Sequence, residues 1–506
     1  MSSCARVAMP FLTLTMLFRT GTFAPPEWKR PDFYSNRNGL PSPWRARRPS
    51  GTIVKKIFKA ATLATMLSLS FAAHAETQPQ PPAEAKVADA AATPREQALK
   101  ELKQSELFQT YLAVVGELVP AVSSETDMAR LVERLNQFEF SPATQQKLVK
   151  LFGNPKPLHL EKKLLADGSM DVRIKLDPLK YRDSADESLL EWSGINGNSV
   201  FNKTLDHAVT ALKSDSMVFD SKAMHVAVTD MRMDITQDKA SELIWWMTAN
   251  AKVASIAIEE KSKEFKLTLD DFSYDMSMQP DGKNVDVKYG FLVKRINWGK
   301  ESVDDARFAI RLSGIDRATL ETIVAESRKL QARKLTPEAQ MNEGMGVILT
   351  HGKALLKHGM MLEVQDISAK YHGHKAELKG FVKVAGLKDA DFNSFERAAK
   401  KVQARFDAQV PMALATEVGE TLMRAELEKR QSDKKVTDAE VKEGTKMMIE
   451  QLMEKPLKEK WFRLEDGQIR STFEFKQGKF ILNGKVIPIP LGGSTKSKPK
   501  SKSKAK

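Results

Sequence analysis

The strongest constraint on this chain is an apolar–polar alternation of period two that recurs in long segments. Met170, Val172, Ile174 and Leu176 alternate with Asp171, Arg173, Lys175 and Asp177. Phe272, Tyr274, Met276 and Met278 alternate up to Pro280-Asp281-Gly282, and Val285, Val287, Tyr289 and Phe291 alternate after it. Ala306, Phe308, Ile310 and Leu312 repeat the pattern. Successive side chains of a strand point to opposite faces, so these segments read as half-buried antiparallel strands with one wet face. The intervening turns fit: Asp167-Gly168 suits a hairpin, and Asp466-Gly467, Gln477-Gly478 and Asn483-Gly484 punctuate a small C-terminal meander through Ile469, Phe473, Phe475, Phe480 and Leu482.

A second regularity lies inside the first. Val226-Ala-Val228-Thr-Asp230-Met231 resembles Leu267-Thr-Leu269-Asp-Asp271-Phe272 and Leu362-Glu-Val364-Gln-Asp366-Ile367. Ile310-Arg-Leu312-Ser-Gly314-Ile315 repeats it with Gly for Asp. In each, the alternation slips by one residue at the Asp or Gly. A slip would turn the side chains to the wrong face unless the strand bulges there. Repeated bulges bend a sheet, so the expectation is a large curved antiparallel sheet.

Helical spacing appears elsewhere. Thr93-Pro94-Arg95-Glu96 reads as a capped helix start before Leu99, Leu102, Phe108, Tyr111, Leu112 and Val115, and further helices are expected over 125–138 and from Ser141-Pro142 to Gly153. Asp316, Thr336-Pro337 and Thr437-Asp438-Ala439-Glu440 are also helix starts, and Phe395, Ala399, Val402, Phe406 and Val410 read as a helical stripe ending at Pro411. The fold class is therefore α+β, with packed helices and an N-terminal helical segment. The expected division is 93–154 helical, 155–390 a β-rich domain with inserted helices, 391–456 helical, and 457–493 the meander.

The front of the chain points to export. Val54-Lys55-Lys56-Ile57-Phe58-Lys59 is a positive n-region, Ala60 to Ala73 is apolar, and Ala73-His74-Ala75 before Glu76 is an A-x-A cleavage site. Residues 54–75 read as a signal peptide, and 76–92, rich in Pro and Ala, as a linker. The apolar run is shorter than the roughly 20 residues of a membrane-spanning helix, so cleavage is favoured over an inner-membrane anchor facing the periplasm. Residues 1–53 read as an upstream extension, with translation starting at Val54.

Charge excludes one class of partner. The net charge of +14 is concentrated at the ends: residues 1–75 hold 11 basic and 2 acidic residues, and 494–506 holds six lysines and no acid. The body from Glu76 to Gly493 carries a net charge of −1. A nucleic-acid binder should carry its basic surplus on the fold, so nucleic acid is set aside. The Lys/Ser tail, 494–506, is disordered by composition. Two readings of it stand: peripheral contact with an anionic membrane surface, or a solvated tail with no partner. The sole cysteine is Cys4, so the exported chain has no disulfide, no thiol nucleophile and no lipoprotein cysteine.

At Glu191-Trp192-Ser193-Gly194-Ile195-Asn196-Gly197, at Leu312-Ser313-Gly314-Ile315-Asp316, and at Glu465-Asp466-Gly467 with Gly478 to Lys485, the sequence resembles the YdgA family of bacterial envelope proteins. The resemblance covers most of residues 155–490. It implies an exported protein facing the periplasm and offers no catalytic residues to carry over. Members of that family keep an N-terminal membrane anchor, where this chain has a cleavage site.

His372-Gly373-His374 places two imidazoles on one strand face, and His351 and His358 share a helix face, but neither pair has a full metal ligand set. Asp270-Asp271 and Asp304-Asp305 are adjacent acids whose side chains point apart on a strand, so turn or bulge roles are favoured over acid–base catalysis. Trp245-Trp246, in the most apolar spot of the exported chain, reads as a membrane-interface or ligand contact, or as a core helix or sheet edge. The core reading is favoured because aromatics bury large areas. No catalytic residue, cofactor or metal ligand is assigned. The expected function is a non-enzymatic periplasmic envelope protein that binds a lipid or a protein partner; the alternative is a periplasmic enzyme, a hydrolase. N-terminal sequencing of the protein from its host should read Glu76 first, and a retained 60–73 segment in the membrane pellet would show an anchor instead.

Overall fold

A computed structural model of the chain describes residues 106–122, 128–182, 187–222, 224–261, 265–299, 301–333, 337–430 and 436–487. The signal segment with Ala73, Ala75 and Glu76, the linker, the Thr93 helix start and the lysine tail lie outside the described residues. The dominant element is one open antiparallel sheet of 18 strands. The fold is α+β, as the alternation predicts.

The chain enters through three helices, α1 (Glu106–Val122), α2 (Met128–Gln137) and α3 (Pro142–Phe152). Ser141 caps α3 by accepting from the Thr144 N–H, and Gly153 closes it in the left-handed region. Glu117 of α1 ties the pair together by accepting from Ser141 N and Oγ and from Thr144 Oγ1, at 2.6–2.7 Å. Helix α2 presents Leu131 and Val132, both fully buried, to Leu160, Met170, Val172 and Phe201. Those residues belong to β1 (Leu158–Leu164), β2 (Met170–Leu176) and β5 (Ile195–Phe201), which pair in that order. Each large side chain so buried stabilises by about 1.5–3 kcal/mol, and this cluster has more buried members than the other two in the sheet.

The short hairpin of β3 (Leu179–Arg182) and β4 (Leu189–Trp192) joins the far half of β6 (His207–Asp220). From β6 the chain runs back and forth through β7 (Met224–Lys239), β8 (Trp245–Glu260), β9 (Phe265–Asp281), β10 (Asn284–Trp298) and β11 (Glu301–Asp316). These six strands are 14 to 17 residues long, about three times the usual five or six. The helical hairpin of α4 (Arg317–Ala332) and α5 (Pro337–Lys357) follows, with Asp316 at once the last residue of β11 and the N-cap of α4. Strands β12 (Met361–Tyr371), β13 (His374–Val384) and β14 (Val402–Pro411) continue the sheet, with the short α6 (Phe395–Ala399) between the last two. A second hairpin, α7 (Met412–Arg430) and α8 (Asp438–Lys458), precedes β15 (Arg463–Glu465), β16 (Gln468–Lys476), β17 (Lys479–Leu482) and β18 (Lys485–Ile487). The Thr437–Glu440 capping box starts α8 as expected.

Two expectations are corrected. Residues 402–411 are strand β14, between β13 and β16, not the continuation of a helix, so 391–456 is not a helical region throughout. Val402, Phe406 and Val410 recur every four residues, a spacing that satisfies a period of two as well as one of 3.6. The Trp245-Trp246 run is neither helix nor edge: it opens β8, which lies between β7 and β9.

The slips in alternation fall where the backbone turns left-handed. Asp230, Asp271 and Gly314 have φ of 46°, 50° and 73°. Asp366 keeps a negative φ but sits in the register shift between Val364 and Ile367. Asp305, at φ 47°, joins the set. Pairing skips Asp215 opposite Asp230, Ala254 opposite Asp271, and Lys294 opposite Asp305. The left-handed acids therefore stand in one line across β7, β9 and β11, a crease transverse to the strands. On one side of it Ile235, Met247, Ala249, Tyr274 and Met276 form a buried cluster; on the other, Val226, Ile258 and Leu267 form a second. The apolar phase differs by one residue between them.

Asp tolerates the left-handed region that a β-branched residue resists. Asp271→Val should lower stability by about 1–3 kcal/mol in urea melts, although Val is the better strand former, while Asp271→Asn stays near the parent. A Val variant as stable as the parent would remove the support for the crease.

Candidate functional site: an apolar face across ten strands

Residues directly opposite in an antiparallel pair share a face, so the register traces a surface. Starting at Ile235 in β7, one row runs through Ala249, Met276, Tyr289 and Ile310 to β11. It continues through Val364, Gly380, Phe406 and Phe473 to Leu482 in β17. Every position of this row is apolar. At about 4.8 Å between strands the row is on the order of 40 Å long. A parallel row holds Tyr274, Phe291, Phe308, Ile367 and Leu378, and another holds Met247, Met278, Val287, Leu312, Leu362 and Val382. The alternate face is polar over β7 to β9, where Arg232, Lys252 and Ser273 lie opposite one another, and carries isolated apolar residues such as Leu292 beyond them.

Aromatic rings knit the surface. Phe291 stacks on Phe308 with centroids 5.2 Å apart, Tyr274 meets Tyr289 edge-on at 5.1 Å, and Phe475 lies 4.7 Å from Phe480. Burial pushes the Tyr274 and Tyr289 hydroxyls above their ordinary pKa, so both stay neutral. Gly380 makes room for the row: a Cβ there would strike the Arg405 carbonyl oxygen and the ring of Phe406. Burial is graded along the face. Met276 is 6% exposed and Ile310 7%, whereas Leu362 reaches 38% and Phe308, Ile367, Leu378, Phe406 and Phe473 are only half-buried. One polar atom interrupts it: Gln237, 2% exposed opposite Met247, has an Oε1 that accepts no hydrogen bond.

The residues singled out from the sequence lie elsewhere. Trp245 is buried in the sheet, and Trp246 is half-buried with the Arg317 guanidinium 5.4 Å above its ring. His372 and Gly373 form the tight turn between β12 and β13, both left-handed, so the two imidazoles do not share a strand face. They meet all the same on one acid of α7: His372 Nδ1 is 3.2 Å from Glu417 Oε2, and His374 Nε2 is 3.4 Å from Oε1. Tyr371 donates to Glu301 Oε2 at 2.5 Å beside them. His351 and His358 diverge, the first to Glu326 at 3.0 Å and the second toward Asp316 at 3.9 Å. Among the described residues no group of three or more His, Cys, Asp or Glu is arranged to hold a metal.

The paired acids also separate. Asp304 accepts from Arg295 Nε at 2.9 Å, while Asp305 accepts from Lys370 Nζ at 2.9 Å, and that ammonium holds the Asp305 carboxyl below its ordinary range. Asp270 accepts from Asn297 and Ser255. Among the described residues no helix is long and apolar enough to cross a membrane.

Fold and face together define a class: an open antiparallel sheet with one broad apolar surface. The chain belongs to the family described as bacterial protein of unknown function (DUF945), matched over residues 136–490. No curated protein and no solved structure matches it.

The face is present in the sequence as alternation, but a strand pattern gives the facing side and not what covers it. Gly380→Ala should cost about 1–3 kcal/mol by overpacking against Phe406. Strand propensity alone predicts a gain for that change, so the sign of the shift in a urea melt decides whether the ring packs there.

Proposed function

We propose that this protein binds the acyl chain of a lipid along the apolar face of its sheet, in the bacterial envelope and without catalysing a reaction on it. The observation that carries the reading is the unbroken row from Ile235 to Leu482, half-buried over its second half. Contiguous apolar surface beyond a few hundred Å² marks an interaction site on a soluble protein. The acyl layer of one bilayer leaflet is about 15 Å deep, so the row is long enough for an extended chain. Export fits this reading: the signal-like segment 54–75 and the likeness to YdgA envelope proteins both suggest a periplasmic setting. A periplasmic hydrolase would have to be built on Tyr371, His372, His374 and Glu417, and there the imidazoles are engaged with a carboxylate rather than with a nucleophile.

Native mass spectrometry of the protein purified from its host without detergent should find co-purifying lipid. Phe308→Asp with Phe406→Asp should weaken binding of a fluorescent fatty acid about tenfold or more, since each ring contributes about 1.5–3 kcal/mol when covered. Unchanged binding in that variant, with its circular dichroism intact, would refute the reading.

A further inference from the structure

The apolar face runs out at the short terminal edge of the sheet. There Phe475 opposes Phe480, which opposes Ile487. Against this edge lies a shallow cleft of about 260 Å³ lined by Lys460, Trp461, Leu482, Lys485, Val486 and Ile487. Two of its apolar lining residues are open to solvent, Trp461 at 48% exposure and Val486 at 52%, and Leu457 at the end of α8 is 37% exposed in the preceding segment.

Trp461 is presented outward by a fixed backbone. Its N–H donates to the Pro456 carbonyl at 2.8 Å, and its own carbonyl accepts from Ser471 Oγ at 2.9 Å. The preceding Lys460 is left-handed, and its carbonyl accepts from Asn483 Nδ2 at 3.0 Å. An indole anchored in this way beside exposed lysines has the amphipathic character of side chains that sit at a membrane–water interface.

Charge points the same way. Residues 455–487 hold eight Lys/Arg and four Asp/Glu in a body whose net charge is −1, and the six lysines of 494–506 follow directly in sequence. Among the described residues, Lys458, Lys460 and Lys485 have no carboxylate partner. Glu459, the acid lining the cleft, is paired with Lys455 at 3.8 Å.

We infer that this edge docks on an anionic phospholipid bilayer, with Trp461 and Val486 entering the interface and Lys458, Lys460 and Lys485 meeting the headgroup phosphates. The docked edge brings the end of the apolar face to the bilayer, where a lipid chain can pass onto it. The purpose of the docking rests on the lipid-binding reading; the docking itself does not.

The test is co-sedimentation of the purified native protein with vesicles of phosphatidylcholine alone or with phosphatidylglycerol added. Binding should require phosphatidylglycerol and fall with salt, as headgroup contacts are screened. Trp461→Ser with Val486→Ser should reduce it about tenfold, since two buried apolar side chains are lost, and leave fatty-acid binding and melting temperature unchanged. Charge reversal at Lys458, Lys460 and Lys485 should do the same. The proposal is overturned if the parent binds neutral vesicles equally well, ignores vesicles altogether, or retains full binding in the Trp461/Val486 variant. Absent fatty-acid binding alongside intact vesicle binding would refute the lipid-carrier reading and leave the docking edge standing.

Discussion

The structure depends on the backbone hydrogen-bond ladder of six very long strands that must keep one apolar face in phase. A polar backbone group buried without a partner costs as much as a lost hydrogen bond, and a sheet of this width satisfies those groups only through continuous pairing. Continuous pairing over about 16 residues is hard to reconcile with strict alternation and with the right-handed twist that builds along each strand. The line of left-handed residues at Asp230, Asp271 and Asp305 relieves this. At Asp230 and Asp271 the local turn leaves the register intact, since Met231 still faces Val253, Thr229 still faces Ser255 and Phe272 still faces Val253, whereas at Asp305 the pairing with β12 shifts by one residue. The buried clusters on either side form because the phase changes there.

Much of this was legible before any coordinates. The strands, their turns, the capped helix starts at Ser141, Asp316 and Thr437, and the slips at Asp230, Asp271, Gly314 and Asp366 were visible as period, turn dipeptide or capping residue, while the left-handed Asp305 was not marked by a slip. The failures share a physical cause. Val402, Phe406 and Val410 are four apart, a spacing common to both periods, and only the partners in β13 and β16 decide between them. Leu243 to Met247 is a short continuous apolar run, which fits a buried strand or a buried helix equally. His372-Gly373 reads as strand by composition, yet it is a two-residue turn because both residues take positive φ.

The site was less legible than the fold. Chemistry-bearing residues draw attention in a sequence, and here they resolve into local pairs: Asp304 with Arg295, Asp305 with Lys370, both imidazoles with Glu417. What sets this molecule apart is collective. No single residue of the Ile235–Leu482 row is unusual, and Gly380 enters it only through the space it leaves for Phe406. Such a surface exists only once ten strands are in register, and nothing in the order of the residues says that its second half stays half-buried.

The order of pairing has a kinetic consequence. From β6 to β14 each strand pairs with the next one along the chain, and most of the joints are tight turns. Large β-proteins usually fold slowly because their contacts are distant in sequence. Here the loop-closure entropy of most pairings is small, so the sheet can grow by successive hairpins as the chain emerges. The segment that carries α6 between β13 and β14 is one exception, and the longest are the two helical hairpins, α4–α5 between β11 and β12 and α7–α8 between β14 and β15. Growth has to wait at those points for a helical pair to form and close, which divides assembly into three blocks, the first ending at Asp316, where a strand becomes a helix cap.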